Sequence, residues 1–145
     1  NIGSDRKMDY TVIGDMVNLA SRLEGLTKKY GEPLIVSESV YNQIADNLHC
    51  RLVDKVIVKG KSRAIGIYSP TKSLTPKQKE GWDIYNTALT HYYKRDFTKA
   101  AELFTEVSSI LPGDSCSALY YNRCKEYIAS PPPEDWTGVT VMSEK

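Results

Sequence analysis

Apolar and polar positions repeat with two different periods along this chain, and the change from one to the other divides it. Tyr10-Thr11-Val12-Ile13 is a β-branched and aromatic run stopped by Gly14, the pattern of a strand with Thr11 and Ile13 on one side and Tyr10 and Val12 on the other. Asp15 suits an N-cap, and over residues 16 to 30 the period becomes helical. Met16, Leu19, Ala20, Leu23, Leu26 and Tyr30 share one arc of a wheel turning about 100° per residue, with Gly31 as the C′ residue. That arc is the expected buried face. Asn18 and Arg22, one turn apart, stack on its flank.

Further on, Pro33-Leu34-Ile35-Val36-Ser37 reads as a strand. Ser37 to Asp46 reads as a short helix with Val40, Tyr41 and Ile44 on one face, capped by Ser37 or Ser39. Strands follow near residues 51–58 and 64–68. Ser69-Pro70-Thr71-Lys72-Ser73-Leu74-Thr75-Pro76 has the composition of a linker. Beyond it the pattern turns helical, over about 77–94, 97–110 and 114–129, with breaks at Arg95-Asp96 and Leu111-Pro112-Gly113-Asp114. The end starts as a stiff Pro131-Pro132-Pro133 segment and finishes as a short strand after Trp136, which anchors the tail.

Taken alone, Arg22 reads as a solvated arginine and Asn18 as a helix-start residue. The string around them changes that. From Asn1-Ile2-Gly3-Ser4 through Asp9-Tyr10-Thr11-Val12-Ile13-Gly14-Asp15 to Val17-Asn18-Leu19-Ala20-Ser21-Arg22-Leu23-Glu24, the sequence closely resembles the C-terminal half of the catalytic domain of class III nucleotidyl cyclases. The match continues through Tyr30-Gly31, residues 33–37 and Val56-Ile57-Val58-Lys59-Gly60-Lys61, and fades after Tyr68.

The resemblance implies a chemistry and a set of roles. In such cyclases the ribose 3′-hydroxyl attacks the α-phosphorus of a nucleoside triphosphate, and pyrophosphate leaves. Arg22 matches the arginine that stabilises charge gathering on the phosphoryl oxygens, and Asn18 the residue that orients the ribose. Thr11 falls where the purine edge is read. A hydroxyl there can accept from the amino group of adenine, which favours ATP and an adenylate cyclase, with a guanylate cyclase as the alternative. Lys59, with Lys61 two residues on as its rival, matches a lysine that contacts the terminal phosphates.

Family members hold two Mg²⁺ or Mn²⁺ ions on aspartates of the N-terminal half, which would lie upstream of residue 1. Asp5, Asp9 and Asp15 match none of those positions, so no metal ligand is assigned within the chain. The expectation is a fragment that is inactive alone and comes from a homodimer whose sites are shared between two catalytic domains. The implied fold is α/β, a partial ferredoxin-like cyclase sheet that exposes edges and is prone to self-association.

After the linker, Ala88, Phe97, Ala100, Phe104 and Pro112 are spaced as in a tetratricopeptide repeat. The expected organisation is residues 1–69 as the cyclase half, 70–76 as linker, 77–130 as TPR-like helices and 131–145 as a Pro-rich tail. One and a half repeats bury too little on their own. The helices are expected to pack on the sheet, on each other or on a second chain, with binding of a protein partner as the alternative and as a non-enzymatic function.

Composition narrows the classes further. Nineteen Lys and Arg against 18 Asp and Glu give a net charge of +1, which argues against nucleic-acid or membrane-surface partners. Three cysteines without C-x-x-C spacing suggest neither a disulfide framework nor a zinc site. With no membrane span or signal peptide in the sequence, a cytoplasmic segment is expected, and an anchor elsewhere in the parent protein stays open.

Overall fold

The computed structural model describes residues 23, 25–58 and 63–142. Residues 25–30 are helical and are called α1. Leu26 and Tyr30 are buried, as their arc requires, and Gly31 adopts a φ of 68°. The Glu32 amide donates to the Thr27 carbonyl at 3.1 Å, which closes the helix in a Schellman arrangement.

Strand β1 is Val36–Ser37, shorter than the expected 33–37. Pro33 can donate no ladder hydrogen bond, and Leu34 is exposed. Ser37 caps α2, Glu38–Ile44, by accepting from the Val40 amide. The long strand β2, His49–Val58, then pairs antiparallel with β3, Ile65–Thr71. β3 thus runs into the first residues of the stretch read as a linker. Pro70 falls beyond the two residues of β1, where one side of β3 has no strand neighbour among the described residues, a place that tolerates a missing N–H.

Three helices follow. Helix α3, Pro76–Tyr93, starts one residue earlier than expected because Pro76 suits the first helical position, behind a Thr75–Gln78 capping box. Helices α4, Phe97–Ile110, and α5, Ser115–Ala129, are capped by Asp96 and Asp114. The final strand β4, Val139–Met142, pairs parallel with β2 and completes the described sheet in the order β1-β3-β2-β4.

The helices pack on each other and on the sheet, and one cluster of buried residues runs through all of them. It joins Leu26 and Tyr30 of α1 and Val53, Val56 and Ile67 of the sheet to Tyr85, Ala88, Ala100, Phe104, Tyr120 and Cys124 of α3 to α5. Small residues allow the close approach. A Cβ on Gly81 of α3 would lie 2.5 Å from Leu111 Cδ1. Trp136 anchors the tail as expected, its ring 5.3–5.5 Å from those of Tyr92, Phe97 and Tyr127. On the opposite sheet face, Tyr41 of α2 stacks on Tyr68 of β3 at 3.8 Å.

Candidate functional site

Thr11, Asn18, Arg22 and Lys59 all lie outside the described residues, as does Lys61. What the structure does describe is the framework on either side of them. The described run of helix α1 starts three residues after Arg22, and strands β2 and β3 end and begin on either side of Lys59. Both elements are fixed by buried charge.

The first charged cluster centres on Asp54 of β2, whose side chain is fully buried. The register slips between Leu52 and Asp54, so Val53 is an extra, bulged residue. In a regular strand Arg51 and Asp54 would face opposite sides. The bulge brings both against α5. The Asp54 carboxylate accepts from Tyr30 Oη at 2.6 Å, from Arg123 at 2.9 and 3.2 Å, from Thr140 Oγ1 at 3.0 Å and from its neighbour's amide, Lys55 N, at 2.8 Å. Tyr120 Oη adds a 3.3 Å contact while donating to the Val53 carbonyl at 2.7 Å.

One carboxylate therefore joins α1, β2, α5 and β4. Burial together with the Asp54 charge holds the Tyr30 phenol well above its ordinary pKa, so it stays protonated and keeps donating. Burial disfavours the Arg123 charge, but the hydrogen bonds and charge of Asp54 outweigh it and raise the guanidinium further.

The second cluster centres on Arg51, only 4% exposed. Its guanidinium pairs with Glu32 at 2.6 Å and with Asp114 at 2.5 and 3.0 Å, over the rings of Trp82 and Tyr85. Glu32 also accepts from Ser69 Oγ at 2.9 Å and from Cys116 Sγ at 3.1 Å. Beside it lies an open cleft of about 460 Å³ where the start of β2 and the end of β3 meet the α3 N-terminus and the α4–α5 turn.

Desolvation alone would raise the Asp114 pKa, yet the Arg51 guanidinium and the Ser117 hydrogen bonds hold it below the usual 3.8. A carboxylate depressed in the folded state contributes stability above its unfolded pKa and loses that contribution as the pH falls further. Thermal stability is thus expected to decline as the pH drops below 3.8. In Asp114→Asn the stability at pH 7 should be lower by about 1.5–3 kcal/mol and the acid-side slope shallower, as read by melting curves from pH 2 to 7.

Sequence reasoning did not find these residues. The available signals were Asp54 inside the apolar run Leu52 to Val58, and Arg123 one turn from Tyr120 on the buried face of α5. Neither cluster offers an activated nucleophile. Arg51 and Asp54 are each paired with opposite charge, although Arg51 Nε is buried without a hydrogen-bond partner, and Cys116 and Cys124 are buried thiols, the latter pushed up to about 12 by desolvation.

The ions expected from the cyclase resemblance have no fitting site among the described residues. Among the described residues no group of three or more His, Cys, Asp or Glu could hold a metal, and the acidic pair that does converge, Glu32 and Asp114, closes on Arg51. Among the same residues no helix is long and apolar enough to cross a membrane.

The proteins to which this chain is similar include three adenylate cyclases. The terminal-differentiation specific adenylate cyclase of Dictyostelium discoideum is 32% identical over 136 residues, 88% of this chain and 6% of that protein. That alignment extends past the cyclase-like half into the helices. The adenylate cyclase of Anabaena cylindrica is 49% identical over 70 residues, 46% of this chain and 14% of the relative. Adenylate cyclase 1 of Rhizobium meliloti (strain 1021) is 40% identical over 68 residues, 47% of this chain and 10% of the relative. The chain thus spans between 6% and 14% of the length of these relatives. No family model and no solved structure matches it. The chain carries a region related to adenylate cyclases.

Proposed function

We propose that this chain supplies the substrate-orienting side of a class III adenylate cyclase that converts ATP to 3′,5′-cyclic AMP and pyrophosphate in intracellular signalling. The observation that carries the reading is the similarity to three adenylate cyclases, joined to the Asp9–Glu24 string that holds Thr11, Asn18 and Arg22 in order.

In this reading Thr11 accepts from the adenine amino group, and Asn18 holds the ribose so that its 3′-oxygen lies in line with the departing pyrophosphate. A bond forms from the 3′-oxygen to the α-phosphorus as the bond to the β-phosphate bridge breaks. Arg22 faces the phosphoryl oxygens, where its planar, permanent charge is worth more in the transition state than in the ground state. Lys59 binds the terminal phosphates. The Mg²⁺ or Mn²⁺ that class III cyclases generally use would supply charge neutralisation and activation of the attacking hydroxyl. Its ligands would come from outside this chain, in a homodimer that shares its sites.

The helices of 77–130 are, on this proposal, TPR-like in origin and serve to brace the sheet. The burial of Ala88, Phe97, Ala100 and Phe104 in the α3–α5 packing supports bracing over binding of a protein partner.

The test is complementation. The chain alone should make no cyclic AMP from ATP and Mn²⁺. In the full-length enzyme Arg22→Ala should lower the rate by about a hundredfold or more. Mixing full-length Arg22→Ala with a variant lacking the metal aspartates should restore activity through mixed dimers. An Arg22→Ala enzyme with an unchanged rate would sink the assignment, and absence of recovery on mixing would sink the shared site.

A further inference from the structure

We infer that the corner between α3 and α4 is a docking site for a linear segment of another protein, made of an apolar residue, a short proline run and a tryptophan. Residues 131–136 of this chain hold the site closed. The inference goes beyond the cyclase reading and does not rest on it. Tyr85 and Tyr120, which tie the helices to β2, take no part in the site.

The chemistry of the site is defined by what fills it. Arg95 lies between the two helices at a φ of 69°, a left-handed conformation that a bulky side chain rarely adopts. In that posture its guanidinium donates to two successive proline carbonyls, those of Pro132 and Pro133, each at 2.6 Å, and lies over the Trp136 ring. Trp136 itself enters a pocket walled by Tyr92, Phe97 and Tyr127. A proline run is extended before it binds, and its carbonyls have no partner within the run. An arginine fork beside an aromatic slot therefore recognises it at small cost in ordering.

The chain's own tail uses only part of this surface. Beside the seat an open cavity of about 290 Å³ lies between the start of α4 and the end of α5, bounded by Arg95, Phe97, Tyr127, Ile128 and Pro131. Ile128 is 50% exposed there. The tail cannot fill the cavity, because Ser130, the residue before Pro131, is bound into the end of α5, its amide donating to the Glu126 carbonyl at 2.8 Å. A segment that arrives from elsewhere has no such tether and can set an apolar side chain in the cavity ahead of its prolines. The tail of a second copy would carry the same tether on its own α5, so the occupant is a stretch of a different protein.

The probes are two fluorescein-labelled peptides, Pro-Pro-Pro-Glu-Asp-Trp and Leu-Pro-Pro-Pro-Glu-Asp-Trp, followed by fluorescence anisotropy. Trp136→Ala, whose tail is released, should bind the leucine peptide about tenfold or more tighter than the shorter one. The intact chain should bind both at least about tenfold more weakly, because its tethered tail competes at a high effective concentration. Ile128→Glu, a change at an exposed position, should erase the advantage of leucine. If Trp136→Ala fails to fold, the intact chain carries the test. With the leucine peptide in excess, amide exchange over Val139–Met142 should quicken while α3 to α5 stay protected.

Unchanged exchange over Val139–Met142 in excess leucine peptide would overturn the inference, and so would equal peptide binding by Trp136→Ala with and without Arg95→Ala. Equal affinity for the two peptides would leave the cavity out of the site and overturn the choice of an outside partner. Exchange of tails between labelled and unlabelled copies of the intact chain, with dimers as the product, would make a second copy the occupant and overturn it too.

Discussion

Replacing Arg123 with alanine should lower the unfolding free energy of the chain by about 3–5 kcal/mol, the largest loss expected from any single substitution outside the aromatic core. The reason is what is left behind rather than what is removed. Asp54 is fully buried at the bulge of β2, and Arg123 is its one charged partner among the described residues, at 2.9 Å. Without the guanidinium, the carboxylate keeps the hydroxyls of Tyr30, Thr140 and Tyr120, but no positive charge offsets its desolvation.

Two further substitutions separate charge from shape. Asp54→Asn with Arg123 intact should cost a similar amount, because it strands the opposite charge. The double change Asp54→Asn with Arg123→Met should cost less than the two single losses together. Urea denaturation followed by circular dichroism reads all three. Additive losses would mean that the pair does not interact in the way its geometry indicates.

Trp136→Ala carries the second large effect, about 3–5 kcal/mol together with release of β4. The indole is the meeting point of Tyr92, Phe97 and Tyr127 at ring separations of 5.3–5.5 Å, with Tyr93 stacked at 6.4 Å. Arg95 holds the tail on the same side. With its φ of 69°, it donates to the carbonyls of Pro132 at 2.6 Å and Pro133 at 2.6 Å, and its guanidinium lies over the indole. A tail that loses Trp136 keeps the Arg95 contacts but not the apolar surface that offsets the ordering of its backbone. Amide exchange should therefore rise over Val139–Met142 before the rest of the sheet responds. A melting temperature within a degree of wild type would show that the tail strand is dispensable.

The periodicity of the chain made its helices legible and left its charges hidden. Phe97–Ile110 was readable to the residue, because Asp96 caps it and Leu111-Pro112-Gly113 stops it, both local signals. Tyr30 and Leu26 were placed in the core by their shared arc alone. The bulge at Val53 was not readable, since an extra residue depends on the partner strand rather than on its own sequence. For the same reason nothing local marks Asp54 and Arg51 as buried charges. Their partners, Arg123 and Asp114, lie more than sixty residues away in sequence. The candidate nucleotide residues were legible only through family resemblance, because an Asn and an Arg one turn apart fit countless helices.

The parallel pairing of β4 with β2 sets an order of events during synthesis. Lys55 meets Val139 across a loop that contains all three long helices, so this edge of the sheet closes only after β4 has followed those helices out of the ribosome. Contacts of such long sequence separation form late, since the entropy of closing the loop precedes the gain from pairing. Until then β2 presents an open rim and Asp54 lacks both Arg123 and Thr140. The nascent sheet is at its most prone to joining a neighbouring chain during that interval, and a slowed or truncated message would prolong it.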